Sequence, residues 1–131
     1  MIVEDEVLLA DLQKLQLERL GYSVKTVPNG RAAMMSLAVE VPDLIIVDIF
    51  MEDVDGLETI TMVKQAYPHL KIIATSGGHL AVKMDFLPVA KALGADLVLP
   101  KPAELDTLLG LIAKLNSTGL GNTPNPNGPR L

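Results

Sequence analysis

A parallel α/β fold, with helices on both faces of a five-stranded sheet, is the class this sequence predicts. Three observations lead there. Several short aliphatic runs, of which Leu44-Ile45-Ile46-Val47 is the clearest, lack the polar alternation of a half-exposed strand and suit strands covered on both sides. Segments with apolar residues at helical spacing lie between those runs. The two kinds alternate five times, which implies parallel strands joined by right-handed crossovers.

Residues 1–3 read as the first strand, and Leu8, Leu12 and Leu15 make 6–20 an amphipathic helix with those leucines as its apolar stripe. A second strand over 22–26 is followed by a helix over 29–39, which Asn29 is suited to cap. The third strand, 43–48, precedes a helix over 56–66, and the fourth strand is 71–76. A helix over about 86–93 follows, begun by Asp85 and tolerating Pro88 in its first turn. The fifth strand spans 96–100, and Leu105, Leu108, Leu109, Leu111 and Ile112 mark a last helix over 103–115. From Asn116 onward Gly, Asn and Pro dominate, with too little apolar content to offset the entropy of ordering. The predicted division is therefore a folded domain over 1–116 and a flexible tail over 117–131.

The 131 residues suffice for one domain with a real core, and the 49% hydrophobic content agrees. A net charge of −5 and 3% aromatic residues argue against direct nucleic-acid contact, which usually needs a basic stripe and stacking rings. With no cysteine there is neither a disulfide framework nor a thiolate metal site. No leader-like segment and no apolar run near 18 residues is evident, so a soluble, cytoplasmic chain without membrane insertion is expected.

In an open parallel sheet, ligands bind beyond the carboxyl ends of the strands. On this reading the first strand ends on Glu4-Asp5, the third on Asp48, the fourth on Ser76 and the fifth on Lys101. Each has a plain alternative: Asp5 as a helix cap, Glu4 as an exposed acid, Ser76 as a turn residue, Lys101 as a helix-entry lysine. Asp48 is harder to dismiss, because an acid that ends Ile45-Ile46-Val47 has no helix to cap directly. Joint placement at one edge is the stronger signal. Three close carboxylates repel one another unless a cation intervenes, and oxygen-only ligands at a partly open site suit Mg²⁺. With Mg²⁺ and the Lys101 ammonium the three acids would be neutralised, and a phosphoryl group could approach.

These residues carry a resemblance. Val3-Glu4-Asp5-Glu6, Pro42-Asp43-Leu44-Ile45-Ile46-Val47-Asp48-Ile49, Asp55-Gly56-Leu57-Glu58, Ile72-Ile73-Ala74-Thr75-Ser76-Gly77 and Gly94-Ala95-Asp96-Leu97-Val98-Leu99-Pro100-Lys101-Pro102 are similar to receiver domains of two-component response regulators. The resemblance covers nearly everything before the tail. It implies a flavodoxin-like sheet of order 2-1-3-4-5. It implies that Asp48 accepts a phosphoryl group from a histidine kinase or phosphotransfer protein and thereby switches a surface read by a downstream protein. Glu4, Asp5, Asp48 and the Phe50 carbonyl would hold Mg²⁺, Lys101 would pair with the phosphoryl oxygens, and Ser76 would turn toward them. A cis Lys101–Pro102 bond is also implied. Such a domain catalyses only its own phosphorylation and dephosphorylation.

Departures from the family pattern bear on signalling more than on the acceptor. The first strand is short, Glu52 lies near the place of a usual proline, and Phe50 stands where the family tunes dephosphorylation. The segment 77–88 is longer than common, and Val98 replaces an aromatic switch residue. Stiff Val98 predicts that the response runs through the 77–88 loop and the helix after it. A dehalogenase-type hydrolase is disfavoured by Phe50, since that family places a second acid two residues after its nucleophile. An interaction module that is never phosphorylated is disfavoured because the acidic pair and Lys101 are intact. His69 beside Pro68 and His79 among glycines do not suit a histidine phosphotransfer protein, and Glu4-Asp5-Glu6 in place of a Gly-rich turn disfavours a nucleotide binder.

Overall fold

Ten elements alternate along the chain: β1 (Ile2–Val3), α1 (Val7–Glu18), β2 (Thr26–Val27), α2 (Gly30–Val39), β3 (Leu44–Asp48), α3 (Gly56–Ala66), β4 (Lys71–Ser76), α4 (Leu87–Leu93), β5 (Leu97–Pro100) and α5 (Leu105–Ser117). The computed structural model describes residues 1–51, 56–76, 87–100 and 105–117. Its sheet is parallel throughout, in the order β2-β1-β3-β4-β5.

Alternation along β3 divides the core in two. Ile45 and Val47 pack with Ala33 and Leu37 of α2, Ile60 and Val63 of α3, and Ala90 of α4. Leu44 and Ile46 point the other way, to Leu17 of α1 and Leu108, Ile112 and Leu115 of α5. All five residues of β3 are buried, which is why this strand reads as an unbroken aliphatic run.

Several boundaries differ from expectation. The second strand is Thr26–Val27 and not 22–26. After α1 the chain closes with paired bonds: Gly21, at φ +96°, donates its N–H to the Glu18 carbonyl, and Tyr22 donates to Leu17. This is a Schellman closure, in which glycine meets the left-handed conformation without steric cost. It uses the Tyr22 N–H, so pairing begins only with an isolated bridge at Ser23, and the continuous strand is the stretch opposite the two-residue β1. The last helix runs to Ser117, so the composition change at Asn116 falls within its final turn; residues 118–131 lie outside the described part. Asn29 caps α2 as expected, its side-chain oxygen accepting from the Ala32 N–H at 2.8 Å. Asp85 lies outside the described residues.

The leucine stripe of α1 is the larger correction. Leu8, Leu12 and Leu15 are 81%, 51% and 48% exposed, whereas Ala10 and Leu17 are the buried residues of the helix. The period was right and the face was wrong, because periodicity alone does not say which of two apolar stripes meets the sheet.

At the edge where β1 and β3 begin, Met1 is buried and its amino group donates to the Leu44 carbonyl at 2.9 Å. Burial pushes that group down from 8.0 to about 4, partly opposed by the nearby Asp43. A cavity of about 260 Å³ borders it, lined in part by Val24, Lys25, Val39 and Pro42.

The same edge is tied together at Asp96. One carboxylate oxygen accepts from the Ile72 N–H at 2.8 Å and from Lys64 Nζ at 3.1 Å, while Lys64 also donates to the Leu70 carbonyl at 2.9 Å. Gly94, at φ +126°, leaves room for this lysine: a Cβ there would lie 2.6 Å from Lys64 Cγ. Asp96→Ala should lower stability by about 1–3 kcal/mol, read as a shift in the urea midpoint, because it removes the acceptor for a backbone N–H and a charge-assisted bond together.

Candidate functional site

Register and pleat bring the predicted acids together. Ile2 pairs with Ile46 and Val3 with Val47, so Glu4 and Asp48 follow at the same level on neighbouring strands. Ile2 and Ile46 share the core beneath α1 and α5, and the period of two sends the next residues of that parity, Glu4 and Asp48, toward the same side. Both are buried, at 4% and 6% exposure, and Asp5 beside them is exposed. One carboxylate oxygen from each of Glu4, Asp5 and Asp48 lies within 4.8 Å of the other two.

Two plain readings are thereby set aside. Glu4 is not an exposed acid. Asp5 is not the cap of α1, for Glu6 holds the N-cap position and no side chain caps the helix there.

The backbone around Asp48 is closely tied. Asp48 Oδ1 accepts from the Phe50 N–H at 3.1 Å, the Ile49 N–H donates to the Thr75 carbonyl at 2.9 Å, and the Gly56 N–H reaches the Ile49 carbonyl at 3.2 Å. Phe50 packs against the core under α2, α3 and α4. In the sequence Gly56 stands only as part of a motif; the contact it makes is visible in the structure, signalled only by a glycine at the point where the chain returns after Asp48.

Ser76 closes β4 and its backbone is in register with Pro100, so β4 and β5 deliver Ser76 and the approach to Lys101 to the same edge. Lys101, its bond to Pro102, and residues 52–55 and 77–86 lie outside the described residues. Val98 is half-buried and pairs with Ala74 on β4.

Three crowded carboxylates, two of them buried, form a site of hard oxygen donors whose mutual repulsion a divalent cation would relieve. The donor set fits Mg²⁺, which takes one or two carboxylates and keeps several waters. No helix among the described residues is long and apolar enough to cross a membrane.

A parallel sheet of this strand order, with an acidic cluster at its carboxyl edge, is the arrangement of flavodoxin-like receiver domains. Residues 1–113 match the model of the response regulator receiver domain, and the chain belongs to that family of two-component signalling proteins. Among its relatives, the luminescence regulatory protein LuxO of Vibrio campbellii is 33% identical over 108 residues, covering 82% of this chain and 23% of LuxO. The DNA-binding transcriptional regulator NtrC of Azospirillum brasilense is 34% identical over 128 residues, covering 95% of this chain and 24% of NtrC. The receiver domain of NtrX from Brucella abortus superposes with a TM-score of 0.82 at 25% identity, covering 90% of this chain and 98% of that domain. The response regulator TrrA from Thermotoga maritima, solved in complex with Mg(2+)-BeF, gives 0.76 at 28% identity, covering 87% of this chain and 95% of TrrA.

The chain thus spans about a quarter of the length of LuxO and NtrC. Since NtrC is a DNA-binding regulator, the exclusion of nucleic acid read from charge and composition gains no support from the relatives.

Proposed function

We propose that Asp48 is the phosphoacceptor and that Glu4, Asp5, Asp48 and the Phe50 carbonyl hold Mg²⁺. The observation that carries this is the meeting of Glu4, Asp5 and Asp48 within 4.8 Å at the end of β3. In the transfer, an Asp48 carboxylate oxygen attacks phosphorus. The P–N bond of a donor phosphohistidine breaks and the imidazole leaves with the electron pair. No base is needed, because an ionised carboxylate has no proton to lose. A bound Mg²⁺ supplies positive charge to the transferring oxygens. Lys101 pairs with those oxygens and the Ser76 hydroxyl meets them. Water later cleaves the acyl phosphate, so the domain turns over only its own modification.

The donor is a histidine kinase or phosphotransfer protein. The phosphorylated form is read by a downstream protein at α4, β5 and α5, a surface supported by the exposed Val89 and Leu93 of α4. The cytoplasm, where response regulators usually work, is the place we assign. The test is incubation with Mg²⁺ and acetyl phosphate followed by mass spectrometry for a labile phosphoryl adduct; its absence in folded protein would overturn the reading. Asp5→Ala should weaken Mg²⁺ in a titration by roughly tenfold or more while the melting temperature changes little, because one exposed member of the ligand set is lost. An unchanged titration would remove Asp5 from the site.

A further inference from the structure

We infer that Gly56 is a positioning residue for the Asp48 carboxylate and the Phe50 carbonyl, because α3 begins so close to the Asp48–Ile49 peptide that only a residue without Cβ fits. This rests on the reading of Asp48 as the acceptor. A Cβ at position 56 would lie 2.7 Å from the Asp48 carbonyl carbon, and closer still to the Asp48 carbonyl oxygen and Ile49 Cα. Every one of these is a backbone atom, so no side chain can swing aside. Three other glycines differ: a Cβ at Gly21 or Gly110 would meet nothing within 4 Å, and at Gly94 it would meet the flexible Lys64 side chain.

The peptide so approached joins the acceptor to the residue before Phe50. Its N–H is already held by the Thr75 carbonyl, and the next carbonyl, that of Ile49, accepts from Gly56 itself. With β4 on one side and the start of α3 on the other, this peptide has little freedom to turn. The Phe50 N–H then meets Asp48 Oδ1, so the acceptor side chain and the Phe50 backbone are set by one arrangement. A methyl group at 56 must lift α3 from the sheet or rotate the Asp48–Ile49 peptide. Either change moves the nucleophile relative to its ligand partners.

The experiment compares Gly56→Ala with Gly110→Ala, a helix glycine with open space around it. In metal-free, unphosphorylated protein, hydrogen exchange is followed at the Phe50 amide relative to Val47 in the same strand, which separates a local change from general loosening. With Mg²⁺ and acetyl phosphate, the initial rate of adduct formation is followed by mass spectrometry. Gly56→Ala is expected to melt cooperatively at a lower temperature. Its Phe50 amide should exchange roughly tenfold or more faster relative to Val47, and adduct formation should fall roughly ten- to a hundredfold, the usual loss when a reacting group is displaced by about 1 Å. Gly110→Ala should match wild type in both.

Wild-type rates and exchange in Gly56→Ala would overturn the inference. So would failure of that variant to fold even with trimethylamine oxide, which would make Gly56 a residue of the fold rather than of the site. If wild type itself forms no adduct, the acceptor reading fails. The Phe50 exchange comparison then still decides whether Gly56 sets the local geometry.

Discussion

Asp48→Asn is expected to abolish the phosphoryl adduct formed with acetyl phosphate and Mg²⁺ and to leave the fold intact. An amide oxygen is a far poorer nucleophile than a carboxylate, so labelling at this position should vanish and not merely slow. Asparagine keeps the shape of the side chain and an oxygen to accept from the Phe50 N–H. It also removes one of three crowded negative charges, so in metal-free protein the melting temperature should hold or rise. Mass spectrometry and thermal denaturation on the same preparations check both halves. Equal labelling of variant and wild type would mean that phosphate goes elsewhere.

The second large effect is expected at the opposite edge. A free amino group on Met1 has an ordinary value of 8.0 and is lowered to about 4 in the fold. Between those values the unfolded chain binds a proton that the native state rejects, so stability should rise with pH across the window. The penalty is full below about 4 and gone above 8. Linkage makes it on the order of 1 kcal/mol at pH 7 and a few kcal/mol at pH 6. Acetylating Met1, or adding one residue before it, replaces the amine with an amide that cannot titrate yet can still donate to the Leu44 carbonyl. The bordering cavity offers room for the added atoms. Urea melts of free and acetylated protein should therefore diverge at pH 6 and converge at pH 9. The same difference at both would show that the amine is not the cause.

Much of the architecture was legible because the elements obey their periods. Leu44–Val47 could be read as a doubly covered strand from an unbroken aliphatic run, and Asn29 as a cap from residue type and position. The meeting of Glu4 and Asp48 was legible only as two acids ending two strands. Their distance depends on the register of Ile2 with Ile46, a long-range pairing that local pattern does not encode. The outward turn of Leu8, Leu12 and Leu15 was illegible for the same kind of reason. Which stripe of α1 meets the sheet depends on where β1 delivers the helix, and the small Ala10 that is buried gives a weak signal. The start of the second strand was misplaced because the closure after α1 uses the Tyr22 N–H, a competition between local and long-range partners.

The brace around Asp96 makes the two rims of the sheet unequal. At one rim the end of α3, the start of β4 and the entry to β5 are stapled by a single carboxylate and Lys64. At the other rim stand the acids. Strand alignment is therefore established away from the chemistry, as the teeth of a comb are set by its spine. Ile73 stays opposite Leu97 and Thr75 opposite Leu99 whatever the length of the connection leaving Ser76. Connections on the acidic rim can thus gain or lose residues between related chains, altering what they recognise, without unthreading the sheet.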